Sequence, residues 1–215
     1  DVEGHDACRK IAILTSLISG QHVDFEKIHT EGITKITTED MKYAKKLNMA
    51  IKLLASSKRV GDTFSVLVAP MLLSEEHPLC NVNDVFNAVF VRGNMLGDAM
   101  FYGSGAGKLP TASAVVADVV DAAKHLHRNV VTRWDAGELE LIPNAEAEHR
   151  FFVRVQGRSE TQKEQIREAF GSIEIVETEG LEDEFGFITE VMTEGTYSKK
   201  AEAFPEIIHM IRLAD

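Results

Sequence analysis

Apolar residues at Ile11, Leu14, Leu17 and Ile18 recur at the spacing of one helical face. They predict a helix from about Asp6 to Ser19 that stops at Gly20, a residue suited to a C-terminal cap. Val23-Asp24-Phe25 and residues 28–33 read as an extended segment ending near Gly32. Thr37, Thr38, Glu39 and Asp40 then place a capping hydroxyl and acidic groups at the start of a second helix, which holds Met41, Ala44 and Leu47 and runs towards Asn48 and Met49. Beyond it the pattern becomes that of strands, over 51–55 and 64–68. The second runs into Pro70, which marks a strand end or a sheet edge because proline has no N–H to donate. Residues 85–91 and 98–102, joined by a turn with Gly93 and Gly97, predict an antiparallel hairpin. From Thr111 to His127 alanine and valine cover most of a helix's circumference, which predicts burial on more than one side.

The pattern weakens between Asn129 and about Glu148, and a domain boundary is placed there, giving expected domains at 1–140 and 149–215. The remainder reads strand (151–155), helix (160–170), strand (173–177), strand (187–192), short helix (197–203) and strand (207–213). That is the split βαβ order of ferredoxin-like domains. The expected class is therefore α+β: a mixed or antiparallel sheet with helices on one face, followed by a ferredoxin-like βαββαβ domain.

Charge narrows the partners. A formal net charge of −11 argues against nucleic acid or an anionic membrane surface, either of which calls for a basic face. No apolar run approaches the roughly 18 residues of a membrane span, and no signal-peptide pattern is present. Cys8 and Cys80 make neither a disulfide framework nor a zinc site and fit a reducing cytoplasm. The eight histidines are scattered without metal-ligand spacing, so no metal site is expected.

Two stretches carry candidate chemistry. At the start of the first helix Asp6 and Lys10 stand four apart, one turn above each other. Asp1 precedes them, with Gly4 allowing the chain to bend into the helix. Such a pair is ordinarily a solvated ion pair; beside a substrate it could hold and move a proton. The second stretch is Gly103-Ser104-Gly105-Ala106-Gly107-Lys108. It is not a Walker A loop, since Tyr102 stands five before Gly107 and Leu109 follows Lys108. Nor is it a Rossmann fingerprint, because the glycines alternate and a hairpin precedes them. Its glycines let backbone approach a ligand closely, and the helix start behind them offers N–H groups to an anion.

The string Asp1-Val2, Gly4, Asp6 and Lys10 fills every fixed position in the second half of the homoserine dehydrogenase signature, and the chain resembles that family. Gly105-Ala106-Gly107 followed by Pro110-Thr111-Ala112 is similar to the family's return from its catalytic to its nucleotide-binding domain, and His77-Pro78-Leu79 and Asn87-Ala88-Val89 are further landmarks. The resemblance covers most of residues 1–130.

It implies an oxidoreductase that interconverts L-homoserine and L-aspartate 4-semialdehyde with NAD or NADP, on the route to threonine, isoleucine and methionine. In that comparison Lys10 is the acid/base, Asp6 and Asp1 bind the substrate, Gly107 lies against the cofactor, and Gly105 and Thr111 are further cofactor contacts. It also implies a homodimer or higher homo-oligomer in the cytoplasm. The chain opens inside the motif without Met, so it reads as a fragment lacking the nucleotide-binding domain and inactive alone. The helix 111–127 is expected to pack on that domain. Residues 150–215 resemble an ACT domain, a regulatory module that takes an amino-acid effector. Its usual Asp-x-Pro-Gly turn is replaced here by Gln156-Gly157-Arg158-Ser159-Glu160. The competing reading is a non-enzymatic amino-acid sensor in which residues 1–130 serve assembly.

Overall fold

In the computed structural model, which describes residues 2–131 and 134–214, helix α1 spans His5–Ser19 and ends at Gly20, whose N–H returns to the carbonyl of Ser16. A short 3-10 turn, Phe25–Lys27, leads to β1 (His29–Thr30), so the extended segment read over 28–33 is regular strand for two residues only. Helix α2 (Thr38–Lys46) opens with a reciprocal cap: the Thr37 hydroxyl accepts from the Asp40 N–H, and the Asp40 carboxylate accepts from the Thr37 N–H. Its inner face is Asp40, Tyr43 and Ala44, whereas Met41 is exposed. The helix stops before Asn48, whose φ of 54° leaves the helical region, and β2 (Met49–Val60) begins at once.

A two-residue turn returns β2 into β3 (Thr63–Ser74), and the two pair along their whole length. Pro70 lies inside β3 rather than at an edge. On the side of β3 away from β2, β1 runs parallel to Leu67–Val68 and β11 (Ile207–Leu213) runs parallel to Met71–Leu72. Pro70 falls between these two partial neighbours, where a missing N–H leaves no ladder bond unmade.

After β3 come the hairpin strands β4 (Phe86–Gly93) and β5 (Gly97–Ser104), antiparallel as expected, and α3 (Lys108–Lys124). Then follow β6 (Glu148–His149), β7 (Phe151–Gln156), α4 (Ser159–Phe170), β8 (Ile173–Val176), β9 (Glu184–Thr189), β10 (Met192–Thr193), α5 (Glu194–Ala201) and β11. From β7 onward the order across the sheet is β11-β7-β9-β8, all antiparallel, which is the fourth–first–third–second order of a ferredoxin-like domain.

The contacts divide the chain into Asp1–Ser74 with Trp134–Asp215, and Glu75–Arg133. The boundary expected between 140 and 149 is therefore not the boundary of the compact units: β11 lies on β3, so strands from both expected domains share one mixed sheet. The physical reason is that the ferredoxin-like sheet has two faces to cover. Phe151, Val153 and Val155 of β7 pack with Ile166 and Phe170 of α4 and Tyr197 of α5. Phe152 faces the other way and packs with Tyr43 and Ala44 of α2, Leu72 of β3 and Ile211 of β11. A helix from the first half thus covers the second half's open face. Helix α1 covers the Phe64, Val66 and Val68 positions of β3 through Cys8, Ile11 and Ala12.

The second unit is the hairpin with α3. None of the described side chains of α3 is buried, and Val115, Val116 and Val119 are all more than half exposed. The burial expected from its composition is not met within this unit.

A buried arginine fixes α2 to the ferredoxin-like sheet. Arg154 of β7 donates to Asp40 at 2.8 Å and to Thr37 at 2.9 Å, and on its other side to both oxygens of Glu184 on β9. Asp40 is fully buried and also faces His209 Nδ1 of β11 at 3.0 Å. Burial alone would raise its pKa, but the hydrogen bonds with His209 and Arg154 and from the Thr37 backbone outweigh it and hold the carboxyl at about 2, below the ordinary 3.8. A folded-state pKa below the unfolded one contributes stability that is present above about pH 4 and is lost as pH falls towards 2; for Asp40 this is on the order of 2 kcal/mol. Asp40→Asn leaves Arg154 with one carboxylate, and urea unfolding at neutral pH is expected to show a loss of about 3 kcal/mol with an unchanged slope. Repeated between pH 5 and 2.5, the variant should lose stability less steeply than the wild type; parallel curves would remove Asp40 from the acid transition.

Candidate functional site

The first candidate group forms at the start of α1. Gly4 is the N-cap residue, with φ of 77°, and the Cys8 N–H bonds its carbonyl at 2.9 Å. An L residue disfavours that angle, and a Cβ there would also press on Thr30 and Val68 at 3.1 Å, so the bend into α1 depends on glycine. One turn on, Lys10 Nζ lies 2.7 Å from Asp6 Oδ2. The hydrogen bond from Lys10 lowers the Asp6 pKa, and the pair is more than half exposed. The buried side of the same helix, with Cys8 and Ile11, packs on the sheet, so the pair stands on a rigid base and points outward. Asp1 lies outside the described residues.

The second group belongs to the other unit. Gly105, Gly107 and Thr111 follow one another from the end of β5 into α3. The Gly105 N–H bonds the Val85 carbonyl at 3.1 Å, and a Cβ on Gly105 would collide with the Asn87 side chain at 2.0 Å. Gly107 is the N-cap of α3 with φ of 117°, and Thr111 donates its N–H to the Gly107 carbonyl. Having no side chain, Gly107 cannot cap the helix, so the first-turn N–H groups of Lys108 and Leu109 remain for a ligand. The residues of the turn, 103–109, are all exposed. Asp6 and Lys10 come together in one unit, and the glycine turn with Thr111 in the other.

A third group was not singled out from the sequence. Arg212 of β11 is 2% exposed and lies between two carboxylates: it donates to Glu194 of α5 and, at 2.8 and 3.0 Å, to Glu31 just after β1. Burial would raise the Glu31 pKa, yet the contacts with His29 and Arg212 hold it at about 2. Beside Glu31 a cleft of about 190 Å³ opens where β1 has ended and β11 begins, lined by Glu3, Gly32, Lys35, Pro70 and His209 among others. The signal available in the sequence was a charge inside an apolar run, Ile211-Arg212-Leu213, and likewise Val153-Arg154-Val155. A strand that apolar is buried on both faces, so its arginine must find carboxylates.

Among the described residues no helix is long and apolar enough to cross a membrane. The family profile "Homoserine dehydrogenase" matches residues 1–120. A homoserine dehydrogenase of Neisseria gonorrhoeae is 38% identical over 168 residues, covering 74% of this chain and 39% of that protein. One of Mycobacterium bovis is 34% identical over 227 aligned positions, covering 96% of this chain and 52% of that protein. Among solved structures, a homoserine dehydrogenase from Thiobacillus denitrificans superposes with a TM-score of 0.87 at 31% identity, over 100% of this chain and 54% of that one. One from S. aureus superposes with a TM-score of 0.79 at 26% identity, over 100% and 54%. The chain spans about half, or less, of the length of these relatives. With the profile covering more than half of its residues and relatives matching along almost all of it, the chain belongs to the homoserine dehydrogenase family.

Proposed function

We propose that this chain is the catalytic, substrate-binding part of an enzyme that interconverts L-homoserine and L-aspartate 4-semialdehyde with NAD or NADP. The observation that carries the reading is the Asp6–Lys10 contact of 2.7 Å, set on the outward side of a helix whose inner side is clamped to the sheet. When bound, the nicotinamide cofactor supplies the hydride. In the reductive direction the aldehyde oxygen gains negative charge as the new C–H bond forms, and it needs a proton donor within about 3 Å. Lys10 gives that proton through its ammonium group, and in the oxidative direction its amine takes the proton from the hydroxyl. Asp6 orients Lys10 and accepts hydrogen bonds from the substrate's ammonium group. By the family resemblance Asp1 is a further substrate-binding residue.

Gly107 holds the cofactor through the exposed backbone of the first turn, with Gly105 and Thr111 as further contacts. Helix α3 packs on the nucleotide-binding domain that precedes this region in the family, and its exposed valines suit that role. The assembled enzyme is a cytoplasmic homo-oligomer. For the full-length enzyme, Lys10→Ala is expected to reduce kcat by at least 10²-fold with unchanged circular dichroism; wild-type turnover would remove Lys10 from the mechanism.

A regulatory role for the C-terminal half is favoured by one observation, its ferredoxin-like strand order, which is the topology of ACT domains. We infer that β7 to β11 form an ACT-like module. Its turn after β7 keeps a glycine, Gly157 with φ of 121°, although the proline of the usual turn is missing. Titration calorimetry of the full-length protein with threonine is expected to give saturable heat that Gly157→Val abolishes. Heat without any homoserine turnover would instead favour the amino-acid sensor.

A further inference from the structure

We propose that Gly32 and Glu31 are positioning residues for the Asp6–Lys10 pair, tying the start of α1 to the C-terminal half of the sheet through Arg212. The proposal rests on the reading of Lys10 as the acid/base. Three contacts carry it. First, the segment that enters α1 is seated on Gly32. The Ile33 N–H bonds the Val2 carbonyl at 2.8 Å, and a Cβ on Gly32 would meet Val2 O at 2.3 Å and Glu3 Cα at 2.6 Å. Both are backbone atoms, so no side-chain rotation can make room; the entry to α1 would have to move. Gly32 itself is outside the left-handed region, so its lack of a side chain serves this approach and not an unusual dihedral.

Second, the strip that includes Gly32 is anchored at Glu31. The Glu31 N–H bonds the Val68 carbonyl of β3 at 2.7 Å, and its carboxylate takes both terminal nitrogens of Arg212, at 2.8 and 3.0 Å. Third, Arg212 is clamped from behind by Glu194 at the first position of α5, so the ferredoxin-like half decides where that guanidinium stands. A displacement of α5 or β11 therefore reaches the N-terminus of α1 through Glu194, Arg212, Glu31 and Gly32, without passing through the apolar core under α1. A helix start displaced by about 1 Å moves Asp6 and Lys10 by a similar distance, and misplacement on that scale costs on the order of 10²-fold in rate.

The test uses the full-length enzyme with Gly32→Ala, Glu31→Gln and, as reference, Lys10→Ala. Gly32→Ala is expected to lower kcat and raise KM for homoserine, each by about tenfold, and to lower the melting temperature, while KM for the cofactor and the circular dichroism at assay temperature stay at wild-type values. Glu31→Gln, which keeps the shape but loses the charge held by Arg212, should move the homoserine parameters in the same direction by a smaller factor. Unchanged homoserine kinetics in Gly32→Ala overturn the proposal. So does a parallel worsening of cofactor KM with altered circular dichroism, which would mean general damage to the fold. If Lys10→Ala is itself fully active, the reading of Lys10 fails; if Lys10→Ala is inactive and Gly32→Ala is normal, only the positioning role fails.

Discussion

Arg212 is the constraint on which the architecture turns. A guanidinium left almost without solvent costs several kcal/mol to desolvate unless carboxylates surround it. Glu194 supplies one from its own half of the chain, and Glu31 supplies the other from a position 181 residues away. Satisfying both places β11 beside β3 at the point where β1 has ended. The same arrangement accounts for Pro70, which is paired with β2 but falls between these two neighbours on the other side of β3. A second arginine, Arg154, repeats the device one strand away by joining Asp40 on α2 to Glu184 on β9. Two charged contacts and one apolar cluster thus unite halves that each carry a recognisable pattern of their own.

This union gives the start of α1 its setting. The helix is an ordinary amphipathic one, yet its entry is held by Gly4 against Thr30 and Val68 and by Gly32 against Val2 and Glu3. The Asp6–Lys10 pair is exposed, so its fixed position comes from the backbone beneath it and not from neighbouring side chains. An ion pair placed in this way stays open to solvent while its helix is held on the sheet. The glycine turn before α3 belongs to the other unit and presents bare backbone in place of side chains, which suits a ligand recognised through amides.

Much of this was legible locally. The capping pair Thr37 and Asp40, the glycine stop after Ser19, the β4–β5 hairpin and the ferredoxin-like order are all short-range signals, and each appears where its residues predict it. The family resemblance was carried by Asp1 to Lys10 and by the turn at Gly105–Gly107, again runs of adjacent residues. The inner face of α2 was not legible from Met41, Ala44 and Leu47, because three positions of a short helix fit more than one face; Tyr43 and Asp40 face inward because they have Phe152 and Arg154 to meet.

The sequence by itself determined the kinds of element, the placing of Asp6 and Lys10 one turn apart on a helix, and the family. Only the tertiary structure decided that two patterned halves share one sheet, that Pro70 is interior, that Glu31, Arg154 and Arg212 matter at all, and that Asp40 meets Arg154. The reason is physical: helix and strand periods are set by neighbours a few residues apart, whereas a buried charge finds its partner wherever the folded chain brings one, here 114 and 181 residues along it.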